Sequence, residues 1–295
     1  MRITINKKRL GVFSVLGASI MWATEPILAK LSYQMTNFLS TFATRTIFAL
    51  MIIATYMFFV KRRNLSVRQD YLPKLIYISL AATLFADLIY MYALTRVPVI
   101  NAVLIGHMQP IFIILFGFFI LKTDKTTKFD YMGIAFMILA GALVTTKTLN
   151  NLCSFKFGTI GDLYVLLATI AWATTAIVAR KYLKELDAGF IAFYRFLFAG
   201  VIFIIYMLAT QGIEIKSVYQ VLIGFVIGIG TVLYYEGIRL IKAAQVSALE
   251  LSTPFFAALL GFLVLKEYMT FMQLVGILLL LGGIYFLSKK EESES

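Results

Sequence analysis

The sequence repeats itself at a distance of 150 residues. The segment MWATEPILAK at 21–30 returns as AWATTAIVAR at 171–180. Further equivalent positions carry the same residue type or charge: Trp22 and Trp172, Lys30 and Arg180, and Arg45 and Arg195. A self-match of this length indicates an internal duplication, which constrains the fold more than any local pattern. We therefore predict two homologous halves, residues 1–149 and 150–295.

The apolar content of the chain indicates a membrane protein. Of its 295 residues, 61% are hydrophobic and 14% are charged, whereas soluble domains have about 45–50% apolar and about 25% charged residues. A helix needs roughly 20 apolar residues to cross a bilayer, and the apolar runs lack strand-like alternation. We predict an all-α integral membrane protein with ten transmembrane helices. The predicted spans are Leu10–Leu31, Phe38–Val60, Leu75–Leu94, Ile100–Leu121, Tyr131–Thr146, Ile160–Val178, Ala188–Thr210, Val218–Leu240, Ala243–Leu265 and Met269–Leu287.

The basic residues predict how these spans cross the membrane. If the spans alternate from a cytoplasmic N-terminus, 19 of the 27 Lys and Arg residues fall on the inner side and six on the outer side. Cytoplasmic loops carry such an excess, so we predict both termini in the cytoplasm. Because each half has five spans, the second half enters the membrane in the opposite sense. Such an inverted repeat allows alternating access to a central site.

Composition limits the partners and cofactors. The net charge of +12 is explained by basic loops that face anionic lipid. No basic stripe alternates with exposed aromatic residues, so we expect no nucleic-acid partner. With one cysteine, Cys153, and one histidine, the chain offers no multi-cysteine metal site and no internal disulfide. We expect the lipid bilayer and a small-molecule substrate as partners, protons as a candidate coupling ion, and no cofactor or metal.

Several features recur in order in both halves. Each half has an early Trp (Trp22 and Trp172), an Arg in the second span (Arg45 and Arg195) and a Pro in the fourth span (Pro110 and Pro254). The second half also has Lys266-Glu267 after span 9. In this order the chain resembles the EamA-type transporters of the drug/metabolite transporter superfamily. The first half departs where Lys122 is followed by Thr123 and Asp124, and we assign Asp124 no role. The resemblance implies a ten-helix carrier of the cell membrane with a central cavity. It also implies substrates such as amino acids or similar small metabolites, often exported.

Seven charged or histidine residues lie at least four residues from either end of the predicted spans, where such groups are costly and usually face a cavity or the protein interior. They are Glu25, Arg45, Asp87, His107, Arg195, Glu236 and Glu250. At about 1.5 Å per residue, the first four fall in the outer half of the membrane and the last three in the inner half. We predict that Arg45 pairs with Glu25. In the inner half, Arg195 would pair with Glu250, with Glu236 as a second carboxylate. Alternatively, one of the arginines holds a substrate carboxylate.

Three of these residues are candidates for proton coupling. Asp87 is left without an arginine if Glu25 takes Arg45, and intramembrane carboxyl groups serve in proton relays. Glu25 precedes Pro26, which leaves a helix carbonyl group without its usual donor. His107 carries the side chain that titrates near neutral pH. Each also has a purely structural explanation, as an ion-paired or hydrogen-bonded buried residue.

The substrate site is predicted between the two halves. Its candidate residues are Trp22, Glu25, Asp87, His107, Gln109, Trp172, Tyr234 and Glu250. The two tryptophans fall near mid-membrane, where they could stack on a cation or simply pack between helices. Paired broken helices at corresponding positions mark transport sites. The surplus of intramembrane carboxylates favours a zwitterionic or cationic substrate. We predict a secondary transporter for a small amino-acid-like or other polar metabolite, acting as an exporter.

The sequence also bears on two other functions and on the oligomeric state. A passive channel or facilitator fits an inverted repeat less well than a carrier that rocks between two states. An intramembrane enzyme has no support, because the His-Glu-x-x-His, Gly-x-Ser-x-Gly and paired-Asp motifs are missing from the sequence. Three glycines of the last span, Gly276, Gly282 and Gly283, could pack inside the protein or pair two protomers. Monomer and homodimer therefore both stay open.

Overall fold

A computed structural model describes residues 7–61, 65–117, 119, 128–241, 246, 249–250 and 252–293, and the regular structure in these residues is helical throughout. The α-helices are α1 (Lys7–Tyr33), α2 (Phe38–Thr55), α3 (Leu72–Ile78), α4 (Leu88–Ala93), α5 (Val99–Gly106), α6 (Gln109–Phe116), α7 (Lys128–Thr146), α8 (Leu149–Cys153), α9 (Ile160–Tyr182), α10 (Ala188–Thr210), α11 (Val218–Leu240), α12 (Ser252–Leu265) and α13 (Phe271–Ser293). Two π-helical segments, Tyr56–Lys61 and Ser79–Asp87, extend α2 and join α3 to α4. Lys122, Thr123 and Asp124 lie outside the described residues.

Seven helices are long and apolar enough to cross a membrane. They are Lys7–Tyr33, Phe38–Phe59, Leu72–Ala93, Val99–Phe116, Ile160–Tyr182, Ala188–Thr210 and Val218–Gly237. Shorter apolar helices occur where the fifth, ninth and tenth spans are predicted: Tyr131–Thr146, Ser252–Leu265 and Phe271–Phe286. The predicted all-helical membrane fold is confirmed for the described residues. The count of ten spans, the cytoplasmic termini and the division at residue 149 stay predictions.

The fourth predicted span is interrupted, as its proline suggests. The α5 helix ends at Gly106, His107 and Met108 form a turn, and α6 starts at Gln109 with Pro110 in its first turn. Proline has no amide hydrogen to donate and is favoured at helix starts. The break therefore lies just before Pro110, and it places His107 and Gln109 at the junction of two helices.

Buried polar side chains hold three helix ends together. At the start of α9, Thr159 accepts from the amide of Asp162, and Asp162 accepts from the amide of Thr159. Thr270 and Gln273 form the same reciprocal cap before α13. Asn101 of α5 then donates to Asp162 at 2.9 Å and accepts from Gln273 at 2.7 Å. The side-chain amide of Asn101 therefore bonds one residue of each cap, and this fixes α5, α9 and α13 relative to one another.

Glycines of the last helix allow close packing inside the protein. A Cβ atom at Gly276 would lie 2.8 Å from Cγ2 of Val144, and one at Gly283 would lie 2.9 Å from the carbonyl oxygen of Gly133. Val144 and Gly133 both belong to α7, along which α13 packs. These two glycines therefore serve the internal packing that was one of the two alternatives.

Candidate functional site

A cavity of about 690 Å³ lies inside the helix bundle. Its wall includes all eight residues predicted to bind substrate: Trp22, Glu25, Asp87, His107, Gln109, Trp172, Tyr234 and Glu250. The wall also includes Ala179 near the end of α9 and Ala188 at the start of α10. The cavity therefore reaches from the middle of the bundle towards the end at which α9 is followed by α10. Residues that are far apart in the sequence thus converge on one chamber.

Four charged residues form an ionic cluster along the cavity wall. Arg45 donates from Nε to Glu25 Oε1 at 2.6 Å, the pairing that the sequence suggested. It also donates from Nη1 to Asp87 at 3.3 Å. Arg195 donates from Nη2 to both carboxylate oxygens of Asp87 at 2.8 Å. Two carboxylates and two guanidinium groups therefore balance, with each arginine bonded to at least one acid.

The pairing predicted between Arg195 and Glu250 is wrong, because Arg195 bonds Asp87. The estimate from helix rise located Cα atoms only, whereas a guanidinium group lies at the end of a long side chain. In addition, the segment that ends at Asp87 is π-helical and does not follow the α-helical rise of about 1.5 Å per residue. Arg195 of α10 therefore reaches Asp87, which is not the unpaired carboxylate that the sequence suggested.

Arg195 keeps one donor group for the cavity. Its Nε atom donates to Thr83 at 2.9 Å and its Nη2 atom to Asp87. The remaining Nη1 group makes no hydrogen bond within the described part of the chain, and the side chain is 28% exposed, against 5% for Arg45. Arg195 can therefore donate to a solute in the cavity. This is compatible with the alternative in which an arginine holds a substrate carboxylate.

Trp172 contributes both a hydrogen bond and an aromatic surface. Its indole Nε1 donates to Asp87 Oδ1 at 2.8 Å. Its ring lies against Tyr90, with 5.3 Å between the ring centroids. The bond to Asp87 fixes the orientation of the indole, so that Trp172 lines the cavity with a defined face.

Glu250 stands apart from the ionic cluster. Among the described residues, no basic side chain forms an ion pair with it, and the side chain of Tyr234 lies next to its carboxylate. The Tyr234 ring packs against Trp22, with 4.8 Å between centroids. Trp22 in turn lies close to Gly230, where a Cβ atom would approach its Nε1 to 3.2 Å. Glu250 is therefore a carboxylate beside aromatic faces.

Glu236 also differs from its predicted role as a second partner for Arg195. It accepts from Arg239, one turn further along α11, at 2.7 Å, and from the hydroxyl group of Tyr56. Residues three apart on a helix are neighbours, so this local ion pair forms without a long reach. Glu236 therefore belongs to the end of α11 and does not line the cavity.

His107 and Gln109 line the cavity at the break between α5 and α6. The Nδ1 atom of His107 lies 2.7 Å from the carbonyl oxygen of Val103. Because a carbonyl group only accepts, this hydrogen bond places a proton on Nδ1 and leaves Nε2 as the other reactive atom. Within the described residues, no group of three or more His, Cys, Asp or Glu side chains could hold a metal ion.

An ion pair that the sequence did not predict lies at the end of α1 that is predicted to face the outside. Glu267 accepts from Lys30 Nζ at 2.7 Å and from the backbone amide of Val99 at 2.7 Å. It thereby connects the end of α1, the start of α5 and the turn after α12. Lys266 has a positive φ of 57°, which turns the chain so that Glu267 points back towards the bundle. We name Lys30, Glu267 and the Val99 amide the outer latch.

Comparisons with known proteins identify the family. The model of the EamA-like transporter family matches residues 9–146 and 159–289. An uncharacterized transporter of Methanothermobacter thermautotrophicus is 28% identical over 75% of this chain, which spans 65% of that protein's length. The uncharacterized inner membrane transporter YicL of Salmonella typhimurium is 24% identical over 96% of this chain and 97% of the length of YicL.

A solved structure supports the fold. The superposition with one crystal structure covers 95% of this chain and 98% of the chain in that crystal structure, with a TM-score of 0.64 and 16% sequence identity. This likeness concerns the fold alone. The matches of the family model, by contrast, cover most of the sequence. The chain belongs to the EamA-like transporter family and is a multi-pass protein of the cell membrane.

Proposed function

We propose that this transporter is a secondary carrier for a small amino-acid-like metabolite with a cationic group, and that it works by alternating access between two inverted halves. The observation that carries the substrate class is Glu250. The other four charged groups of the cavity wall neutralise one another, whereas Glu250 has no basic partner among the described residues. A cation supplied by the substrate would balance this carboxylate, whose charge is costly inside a membrane protein.

Aromatic rings next to Glu250 support a cationic ligand. Trp22 and Tyr234 pack together beside the carboxylate, and Tyr235 follows with its ring centroid 6.0 Å from that of Tyr234. The faces of Trp and Tyr rings attract ammonium groups. In the wall of the same chamber, Arg195 has an unused donor that suits a carboxylate. A zwitterion would therefore find a partner for each charge.

The shape of the cavity supports alternating access. The chamber reaches the helix ends at Ala179 and Ala188, while the outer latch ties Glu267 to Lys30 on the opposite side. A chamber that extends towards one side and is tied shut on the other matches the inward-facing state of a carrier. A passive channel, the second candidate, would require a path open at both ends.

Proton exchange is proposed at Glu250. Of the earlier candidates, Glu25 and Asp87 are held by arginines, and His107 is bonded to a backbone carbonyl group. Glu250 lacks such a partner in the described chain, so it can hold either the substrate cation or a proton. Release of one on binding of the other would couple the two movements. The family resemblance favours export as the direction of net substrate movement.

A thermal-shift screen with amino acids, nucleosides and quaternary amines tests this proposal. Amine-bearing ligands should raise the unfolding temperature of the wild-type protein and not that of Glu250→Gln. Glu214→Gln is the matched control, because Glu214 is a half-exposed carboxylate that bonds Lys216 away from the cavity. If nucleosides or neutral solutes stabilise the protein and amines do not, the cationic substrate class is wrong.

A further inference from the structure

Thr253 has a hydroxyl group without a partner beside Glu250. The residue is 3% exposed and lines the cavity, and its Oγ1 atom is buried with no hydrogen bond to the described residues. The usual acceptor in a helix is the carbonyl oxygen four residues earlier. For Thr253 this is the carbonyl of Leu249, which already accepts from Ser252 Oγ at 2.7 Å. An unpaired buried hydroxyl group requires an explanation.

Thr231 is a second, half-buried hydroxyl group in the cavity wall. It lines the cavity on α11 and makes no hydrogen bond within the described residues. By contrast, Thr46 and Thr169, which lie in other helices of the bundle, donate to the carbonyl groups four residues earlier at 2.8 Å. Thr231 and Thr253 therefore bring hydroxyl groups to the wall of the cavity that also contains Glu250.

The sequence spacing relates these hydroxyl groups to the carboxylate. Thr231 and Tyr234 are three residues apart on α11, and residues at this spacing are neighbours on a helix face. Thr253, in the first turn of α12, follows Glu250 by three positions in the sequence, and both residues line the cavity. Tyr234 lies next to Glu250, so these residues belong to one part of the cavity wall. Rotation about χ1 exchanges the hydroxyl and methyl positions of a threonine, so Thr253 can turn Oγ1 into the chamber without movement of its helix.

We propose that Thr231 and Thr253 make the site selective for an ammonium group that carries N–H bonds, such as a protonated primary amine, over a quaternary ammonium group. This inference rests on the proposed binding of a cation at Glu250. A primary ammonium group has three donors, which Glu250 and the two threonine oxygens can accept. A trimethylated ammonium group has none and would bury both hydroxyl groups unpaired. A site built for hydrogen bonds rejects analogues that lack them.

Two probes of equal charge test this selectivity. They are n-butylammonium and n-butyltrimethylammonium, which share the alkyl chain and differ in the head group. Trp22 and Trp172 are the two tryptophans of the chain, and both line the cavity, so intrinsic fluorescence reports binding there. We expect the wild-type protein to bind n-butylammonium at least about tenfold more tightly than n-butyltrimethylammonium. A tenfold difference in affinity corresponds to about 1.4 kcal/mol of binding free energy.

The threonine variants separate this inference from the proposed function. Thr253→Val keeps the shape and removes the hydroxyl group, so the preference should fall by at least about fivefold, while Thr253→Ser retains it. Thr231→Val gives the same test if Thr253→Val fails to fold. Unchanged preference in both Val variants overturns the role of the threonines and leaves the cation site intact. Failure of both probes to bind the wild-type protein overturns the cation site itself, and with it this inference.

Discussion

Replacement of Asp87 is the most demanding test of the ionic cluster. The Asp87 carboxylate is 3% exposed and accepts from Arg195, Arg45 and Trp172. Asp87→Asn keeps the shape but removes the charge that balances Arg195. Removal of one partner from a buried ion pair costs about 3–5 kcal/mol. We expect about 3 kcal/mol, the lower limit, because the Arg195 side chain is 28% exposed and water in the cavity can hydrate it.

Chemical denaturation of the purified protein in detergent, followed by circular dichroism, measures this loss. The double variant Asp87→Asn with Arg195→Gln restores the charge balance. Its destabilisation should therefore be smaller than the sum of the two single effects, by about 1–3 kcal/mol for residues in direct contact. The same cycle performed with Glu250→Gln and Arg195→Gln should show additive effects, because Glu250 and Arg195 form no ion pair in the described structure.

Two results would refute this reasoning. If Asp87→Asn were as stable as the wild type, the contacts at 2.8 Å would not be a buried ion pair of consequence. If Arg195 coupled to Glu250 and not to Asp87, the pairing first inferred from helix heights would be correct after all. Glu250→Gln alone should cost less than about 1 kcal/mol, as a substitution that strands no charge.

Two further perturbations address the latch and the helix packing. Glu267→Gln removes the ion pair with Lys30. The assay uses a protein whose native cysteine is replaced by serine and whose cavity carries a new cysteine from Val103→Cys. Labelling of this cysteine by an impermeant thiol reagent added outside should increase severalfold in the Glu267→Gln variant. Unchanged labelling would mean that the latch does not hold the outer side closed. Gly224→Ala should destabilise the protein by about 1–3 kcal/mol, because the added Cβ would lie 2.4 Å from Phe48 Cβ. A denaturation curve that matches the wild type would contradict this close approach.

The helices and the residues around the cavity could be predicted because both follow from local patterns. Apolar runs of span length indicated the membrane helices, and Pro110 indicated the interruption that the structure places at His107. The duplication also brought residues of both halves to one chamber, as with Trp22 and Trp172. Intramembrane charges are costly enough that they rarely face lipid, which made Glu250 a cavity candidate from the sequence alone.

The pairing of the charges could not be predicted in the same way. Helix rise gives the height of a Cα atom, but it gives neither the reach of a guanidinium group nor the effect of the π-helical turns before Asp87. Arg195 was therefore assigned to the wrong acid. The outer latch was missed although Lys30 and Glu267 both stood at predicted outer ends, because their contact depends on the turn at Lys266. Shared location at one membrane face was the signal that could have suggested it.

Counterflow in proteoliposomes tests the central claim most directly. Vesicles that contain the wild-type protein and are loaded with an unlabelled amine ligand from the thermal-shift screen should take up the labelled ligand faster than empty vesicles, and transiently above its external concentration. Glu250→Gln should abolish this stimulation, and Glu214→Gln should preserve it. Uptake that neither saturates nor responds to the internal ligand would contradict alternating access and indicate a passive pore.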